Sequence, residues 1–279
     1  MAAIDYEFEY NPRASVPEHP EIFARIARDA EDFRAETLKS GRAELGVSYG
    51  DTPRQIVDLF LPAGGSTAKL AMFIHGGFWR AFDPSSFSHM ARGMNANGIA
   101  VAVAGYDLCP MVRIGDIIEQ IRRACIFLWQ RFGQQILVCG HSAGGHLTAA
   151  MVATDWPALY PKAPAVLVPA GYAISGVFDL APLVNLALNQ DLRLDAAEAR
   201  RLSPLFWPVP PGRALDTVVG NRESSEFKRQ SRVMAETWKG GAETRYTEVP
   251  GNHFTVIDAL TDPGSPMVAR IAELAQRLR

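Results

Sequence analysis

The residues best suited to chemistry lie in Gly140-His-Ser-Ala-Gly144, where one serine stands between two glycines. An apolar run at 136–139 precedes this stretch, and helical spacing follows from 145 to about 154. Gly-x-Ser-x-Gly between a strand and a helix is typical of a strained turn that holds the serine hydroxyl away from the backbone. Glycines are needed beside it because the chain folds too tightly for side chains. The pattern predicts that Ser142 is a nucleophile, whereas an ordinary turn is the simpler alternative.

A serine hydroxyl is a poor nucleophile at neutral pH, so Ser142 needs a base and an acid. In turns of this type the acid and then the base follow the serine along the chain. Two histidines, His146 and His253, lie beyond Ser142. His146 is four residues along the predicted helix and should point away from Ser142 as a structural histidine. We therefore expect His253, in a loop after the last predicted strand, to be the base, the alternative being an idle histidine in solvent.

The acid should follow the strand predicted at 214–219, where the chain offers Glu223 and Glu226. Glu223 is nearer the strand end and can lie in the loop, whereas Glu226 falls inside the next predicted helix. We expect Glu223 to be the acid, with Glu226 second and Asp216 and Asp258 as remote candidates. The alternative for either glutamate is a carboxylate stabilised by the helix dipole.

Attack by a serine creates a negatively charged oxygen, which backbone amides must stabilise. The residue after the nucleophile, Ala143, supplies one amide. A second glycine-rich turn, His75-Gly-Gly-Phe78, ends another buried apolar run. We expect the amides of Gly77 and Phe78 to complete this oxyanion hole, with His75 packing or forming hydrogen bonds in the loop.

The elements that carry these turns alternate between strand and helix, which is typical of a doubly wound, mostly parallel sheet with helices on both faces. We expect one domain over 1–279, with a helical N-terminal extension at about 11–44. Where the alternation breaks, at about 179–212, we expect a small lid over the site, although a long surface connection is the alternative. Apolar or alternating runs predict strands at 56–61, 69–74, 99–104, 136–139, 166–175, 214–219 and 243–249. Helical spacing predicts helices at 21–39, 85–97, 114–132, 145–154 and 266–278.

Composition places the 279-residue chain among globular proteins, since 48% of its residues are hydrophobic and 21% are charged. The formal charge of −2 and a pI near 6.3 provide no electrostatic reason to expect nucleic acid or an anionic membrane as a partner. We expect a small-molecule substrate, and a homodimer is compatible with the sequence.

Three cysteines without a C-x-x-C pair predict buried thiols rather than disulfides or a zinc site. His75, His141 and His146 lack carboxylate or cysteine partners at ligand spacing, so no metal or other cofactor is expected. The N-terminus does not have the pattern of a signal peptide, and no apolar stretch reaches the roughly 18 residues of a membrane helix. These features predict a cytoplasmic protein.

The combined motifs resemble the α/β-hydrolase superfamily, and within it the kynurenine formamidase (arylformamidase) branch. His75-Gly-Gly-Phe-Trp79 matches the His-Gly-Gly-aromatic-Trp of that branch, and Gly140-His-Ser-Ala-Gly-Gly-His146 matches its nucleophile turn. Further similarity lies in Tyr10-Asn-Pro-Arg13, Tyr49-Gly, Val57-Asp-Leu-Phe60, Glu223-Ser-Ser-Glu-Phe227 with Gln230-Ser231, and Asn252-His253-Phe254. One departure is the acid, which is often Asp in such hydrolases and is Glu here; its extra methylene can still reach an imidazole.

The resemblance implies a serine hydrolase with Ser142, Glu223 and His253 as its triad. Its expected substrate is an N-formyl arylamine such as N-formyl-L-kynurenine, which would be cleaved to kynurenine and formate through a formyl-serine. A carboxylesterase, amidase or carbamate hydrolase with the same triad is the nearest alternative, and a catalytically silent binding module is a more distant one. The aromatic candidates for a wall that stacks an aryl group are Phe78, Trp79, Phe82, Phe206, Trp207 and Phe254.

Overall fold

The computed structural model describes residues 4–65 and 69–279. The interpretation of the N-terminus rested partly on residues 1–3, which lie outside this described part. None of the described helices is both long enough and apolar enough to cross a membrane.

Eight strands form one sheet in the order β1-β2-β4-β3-β5-β6-β7-β8. β2 is antiparallel to both β1 and β4, whereas every pairing from β4 through β3 to β8 is parallel. The carboxyl ends of β3 and of β5 to β8 therefore meet along one edge. The strands are β1 (Ala43–Ser48), β2 (Ile56–Phe60), β3 (Leu70–Ile74), β4 (Ala100–Ala104), β5 (Ile136–His141), β6 (Ala170–Ile174), β7 (Ala214–Gly220) and β8 (Glu243–Val249).

Helices cover both faces of this sheet. The α-helices are α1 (Tyr6–Glu9), α2 (Pro12–Ser15), α3 (His19–Lys39), α4 (Arg92–Ala96), α5 (Ile114–Phe132), α6 (Ala143–Ala153), α7 (Trp156–Leu159), α8 (Asn189–Leu192), α9 (Ala196–Arg201), α10 (Ser225–Trp238) and α11 (Pro266–Ala275). Short 3₁₀ helices lie at Pro84–Ala91, Ala181–Asn185, Pro204–Phe206 and Val256–Thr261.

The core is split by the sheet because side chains alternate along each strand. In β3, Leu70, Met72 and Ile74 belong to the cluster that includes α5 and α6. Ala71 and Phe73 belong to the opposite cluster, which includes α3 and α11. Every residue of β3 is buried, which explains its continuous apolar run.

Two elements differ from their sequence-based predictions. The helix predicted at 85–97 is a 3₁₀ helix followed by α4, with non-helical angles at Phe87 (φ −125°, ψ 15°). The Phe87 ring packs 5.8 Å from the His75 ring, so tertiary packing accompanies the break. β6 is shorter than the strand predicted at 166–175 and begins after Pro169, since proline has no amide hydrogen for a central strand.

Helical segments also replace the regular alternation between β6 and β7. They comprise α8, α9 and two of the 3₁₀ helices, and together they fill the stretch predicted as a lid. Ala187, Leu188 and Asp191 from this stretch line the cavity described below. Its movement as a lid stays a prediction.

Candidate active site

Ser142 is the single residue between the end of β5 and the start of α6. Its backbone angles are φ +57° and ψ −116°, a region that residues with side chains rarely adopt. The neighbouring glycines make the turn possible: a Cβ at Gly144 would lie 2.0 Å from the Ile74 carbonyl oxygen, and one at Gly140 would lie 2.3 Å from the Gly144 carbonyl oxygen. The strain and close packing support the prediction that this turn presents a reactive serine.

His253 and Glu223 form a buried pair, with His253 Nδ1 2.5 Å from Glu223 Oε2. Because a carboxylate oxygen accepts hydrogen bonds, Nδ1 is the donor in this pair, and Nε2 is left as the ring nitrogen that can accept one. The other carboxylate oxygen, Oε1, accepts from Ser175 Oγ at 2.5 Å and from the Gly220 amide at 2.6 Å. Glu223 is thus held in place from β6, from β7 and from the loop after β8.

Ser142 and His253 line one cavity of about 830 Å³. Within the described part of the chain the two side chains are not hydrogen-bonded to each other. Bonds of this kind are often long before substrate binds and shorten in the complex. The arrangement therefore places a hydroxyl and an oriented imidazole at the same cavity, where one bound molecule could contact both.

The loop after β3 packs against the turn at Ser142. A Cβ at Gly76 would lie 3.0 Å from Ser142 Cβ, and both Gly77 (φ +105°) and Phe78 (φ +48°) have left-handed backbone angles. The amides of Gly77 and Phe78 donate to no acceptor in the described residues. Ala143 begins α6, so its N–H has no partner within the helix. Three amides predicted to bind an oxyanion are therefore available around Ser142, and that role stays a prediction.

His75 fixes the base of this loop. Its Nδ1 donates to the Gly76 carbonyl oxygen at 2.8 Å, and its ring stacks on Tyr106 with centroids 4.3 Å apart. Tyr106 Oη donates to the His75 carbonyl oxygen at 2.9 Å. Burial lowers the pKa of His75 to about 4, so the imidazole is neutral at physiological pH. It has the packing and hydrogen-bonding role predicted for it.

The other two histidines near Ser142 are also neutral and buried. The His141 ring lies 4.8 Å from the His253 ring, and burial lowers the pKa of His141 well below its ordinary value. His146 points away from the cavity, with Nε2 2.8 Å from the Leu202 carbonyl oxygen. Burial lowers its pKa to about 4. His253 is the histidine that has a carboxylate partner at this edge of the sheet.

The remaining acid candidates are engaged elsewhere. Glu226 lies in α10 and binds Arg229, Asp216 binds Arg270 at 2.8 Å, and Asp258 binds Arg25 at 2.7 Å. Among residues 4–65 and 69–279, no group of three or more His, Cys, Asp or Glu side chains is placed to hold a metal ion.

Aromatic side chains form one wall of the cavity. The Phe23 ring from α3 packs edge-on against Phe254, with centroids 4.8 Å apart, and against Phe82 at 5.7 Å. Phe78 and Phe87 also line the cavity. Phe82 and Phe254 thus lie where an aryl group could contact them, as predicted, and Phe23 joins them.

Three aromatic residues predicted for the wall lie elsewhere, and those predictions need correction. Trp79 is fully buried beneath the loop after β3, with its ring 5.0 Å from the His146 ring. Phe206 is 43% exposed under the guanidinium of Arg200, outside the cavity. Trp207 donates from Nε1 to the Arg201 carbonyl oxygen at 2.8 Å and packs on the core.

Several residues of the site were not singled out from the sequence. Ser175 follows β6 directly, and β6 lies between β5, which leads to Ser142, and β7, which leads to Glu223. Its position at the end of that strand is the feature of the sequence that could have identified it. Phe23 was predicted only as part of the apolar face of a helix. Tyr10 and Arg13 belonged to a family motif without an assigned role, and both line the cavity.

A mostly parallel eight-stranded sheet, with a strained Gly-x-Ser-x-Gly turn after β5, a carboxylate after β7 and a histidine after β8, defines an α/β-hydrolase fold. Residues 57–190 match the family model BD-FAE. Kynurenine formamidase of Danio rerio is 27% identical over 280 residues, covering 94% of this chain and 92% of that protein. The Salmo salar kynurenine formamidase is 28% identical over 230 residues, covering 78% and 77%.

A crystal structure from Silicibacter sp. TM1040, provisionally assigned as a thioesterase, is 36% identical with a TM-score of 0.86 and covers 96% of this chain and 99% of that one. The chain belongs to the α/β-hydrolase superfamily, and it is similar to kynurenine formamidases and to esterase-like proteins. This result confirms the resemblance and the fold class predicted from the sequence, and it supports hydrolysis as the class of reaction.

Proposed function

We propose that the protein is a serine hydrolase that cleaves the amide of an N-formyl arylamine, such as N-formyl-L-kynurenine. The observation that carries this proposal is the cavity itself, where Ser142 and the His253–Glu223 pair adjoin a wall of phenylalanine rings. An aryl leaving group is suited to such a wall because offset and edge-on ring contacts stabilise it. Kynurenine formamidase relatives that align with most of the chain favour the formamide over other acyl groups.

The reaction begins when Ser142 Oγ attacks the formyl carbon and its proton passes to His253 Nε2. The carbonyl π electrons move to oxygen, and the amides of Gly77, Phe78 and Ala143 stabilise that anion. The oxyanion then reforms the carbonyl and the C–N bond breaks, while His253 gives its proton to the departing aryl nitrogen. This step releases the free arylamine and leaves a formyl-serine.

Hydrolysis of the formyl-serine repeats the same proton transfers with water as the nucleophile. His253 takes a proton from the water as its oxygen attacks the formyl carbon. Collapse of the second tetrahedral intermediate returns that proton to Ser142 Oγ and releases formic acid, which loses its remaining acidic proton to solvent and becomes formate. Glu223 remains the hydrogen-bond acceptor for Nδ1–H throughout and stabilises the imidazolium that forms in each half-reaction.

The direct test is hydrolysis of N-formyl-L-kynurenine, followed by release of the arylamine and of formate. Ser142→Ala should lower kcat by several orders of magnitude, since removal of a triad member costs about 10⁴-fold or more. Ser48→Ala, at an exposed serine of β1 that lies outside the cavity, is the matched control and should keep full activity. Hydrolysis that survives Ser142→Ala would overturn the mechanism.

An esterase with the same triad, acting on an oxygen ester or a thioester, is the second candidate, because the Silicibacter relative is provisionally assigned as a thioesterase. A panel of N-formyl-L-kynurenine, p-nitrophenyl acetate and an aryl carbamate separates the two. Ester cleavage without formamide cleavage would support the esterase and reject the formamidase. A fluorophosphonate probe that labels the wild type but not Ser142→Ala would exclude a catalytically silent binding module.

A further inference from the structure

The segment Tyr10-Asn-Pro-Arg13, which has no part in the bond-breaking steps, forms one side of the cavity. All four of its residues line the same space as Ser142 and His253. Pro12 is buried at the start of α2, whereas Arg13 is exposed. The N-terminal part of the chain therefore contributes directly to the surface that a substrate meets.

This segment is fixed to α10 by a buried hydrogen-bond network. Tyr10 Oη donates to Glu226 Oε2 at 2.8 Å and accepts from Gln230 Nε2 at 2.7 Å. Arg229 binds Glu226 through two bonds of 2.8 and 2.7 Å. Burial acts to raise the pKa of Glu226, but the bonds from Arg229 and Tyr10 outweigh it and lower the pKa, so the glutamate is ionised. The backbone beside Arg13 is thus held in one position before substrate binds.

Arg13 differs from the other charged residues of the cavity because its donors are unused. Arg80 is paired with Asp191 at 2.5 Å, and Glu7 accepts from the Ala187 amide at 2.6 Å. Arg13 forms no ion pair and no hydrogen bond in the described residues, and its guanidinium lies over the Phe23 ring, 5.7 Å from its centroid. Its planar group is therefore free to bind a planar anion through two parallel hydrogen bonds.

The aromatic wall connects this cation to the proposed catalytic base. Phe254 follows His253 directly in the chain, its ring packs on Phe23, and Phe23 lies under Arg13. An aryl group on the Phe23–Phe254 surface would therefore have its reacting end near His253 and its opposite end towards Arg13. A substituent carried at that opposite end is the part that Arg13 can recognise.

We infer that Arg13 is the binding site for a carboxylate carried on the side chain of an aryl substrate. This inference rests on the proposed function, because the carboxylate would be the group by which the protein distinguishes its preferred formamides from other formamides. The two can nonetheless be tested apart, since a carboxylate can be presented on a formamide or on an ester.

The test compares substrates that differ only in the carboxylate, namely N-formylkynurenine and N-formylkynuramine. For Arg13→Gln we expect KM for the carboxylate substrate to rise about tenfold, since a charged hydrogen bond at an exposed position is lost. KM for N-formylkynuramine and kcat for both should change less than twofold. Arg13→Lys should recover part of the difference, because lysine keeps the charge but not the planar pair of donors.

Arg28→Gln is the matched control, at an exposed arginine of α3 that does not line the cavity, and it should leave both substrates unaffected. Equal losses on both substrates in Arg13→Gln, or no loss on either, would overturn the inference. If the wild type cleaves no formamide, the proposed function fails, and the same variants are compared on phenyl acetate and 3-(4-acetoxyphenyl)propanoate. A carboxylate-specific rise in KM on that ester pair would still support the Arg13 site, and its absence would reject it.

Discussion

Ser175→Ala tests whether the hydroxyl behind the acid contributes to turnover. Glu223 accepts three hydrogen bonds in the structure: Oε1 accepts from Ser175 Oγ and the Gly220 amide, and Oε2 accepts from His253 Nδ1. The substitution removes the first of these and leaves the other two. Glu223 then has one fewer partner to hold Oε2 towards the imidazole.

The size of the effect follows from the kind of bond that is lost. A hydrogen bond to a charged group contributes about 1.5–3 kcal/mol. The lower end applies here because the Gly220 amide still binds Oε1, and about 1.4 kcal/mol corresponds to a tenfold change in rate. We therefore expect kcat to fall about tenfold with KM unchanged, because Ser175 does not line the cavity. Glu223→Ala should cost far more, on the order of 10⁴-fold.

Ser175→Gly is the matched variant, since Ser175 has φ +52°, where glycine is favoured over any residue with a Cβ. It should show the same tenfold loss of kcat as Ser175→Ala while unfolding at a higher temperature than Ser175→Ala. Steady-state kinetics, the rate of fluorophosphonate labelling and thermal melts measure these quantities. The positioning role would be refuted if Ser175→Ala kept the wild-type kcat. It would also be refuted if the variant with the higher melting temperature had the higher activity.

Two further predictions concern the loop beside the serine and a buried histidine. Gly77→Ala places a Cβ 2.5 Å from the Ala81 carbonyl oxygen at φ +105°, so the loop must shift and kcat should fall about 10²- to 10³-fold. Gly64→Ala is the control: its backbone has a similarly unfavourable φ of +87°, but an added Cβ would have no atom within 4 Å, so this variant should keep full activity. Equal losses of kcat in the two variants would contradict the reasoning. Burial lowers the pKa of His146 to about 4, so between pH 6.5 and 4 the unfolded chain binds a proton there that the folded protein does not. The free energy of unfolding should fall as pH drops through that window, and His146→Leu should reduce the fall between pH 7 and pH 5 by about 2 kcal/mol in urea melts. An unchanged fall would contradict the prediction.

The features that the sequence predicts well depend on short-range constraints. The turn at Ser142 needs glycines within two residues, and the buried strands need continuous apolar runs, so both leave a local pattern. The preference for Glu223 over Glu226 follows from distance along the chain, because α10 begins at Ser225 and includes the second glutamate. The structure pairs Glu223 with His253 and Glu226 with Arg229. Chain order is informative here because Ser142, Glu223 and His253 each follow the carboxyl end of one strand.

The aromatic predictions fail for Trp79, Phe206 and Trp207 because adjacency to a motif does not determine the direction of a side chain. Trp79 follows a lining residue, Phe78, yet both have positive φ angles and the turn directs the tryptophan into the core. Phe206 and Trp207 lie towards the end of the stretch at 179–212, whereas the residues of that stretch that reach the cavity, Ala187, Leu188 and Asp191, lie near its middle. Only the packing of that stretch on the core decides which of its residues are presented.

Some residues to which the sequence assigns no role contact the site through partners that are far away along the chain. Tyr10 and Glu226 are 216 residues apart, and their bond exists because the N-terminal helices pack against α10. α10 itself starts just after Glu223, so one helix links the acid loop to the wall that carries Arg13. No periodicity within either segment encodes that contact. The same packing places Arg13, whose guanidinium has no ion-pair partner among the described residues, at the cavity. Substitutions at Arg13 should therefore change KM for particular substrates, whereas those at Ser175 should change kcat.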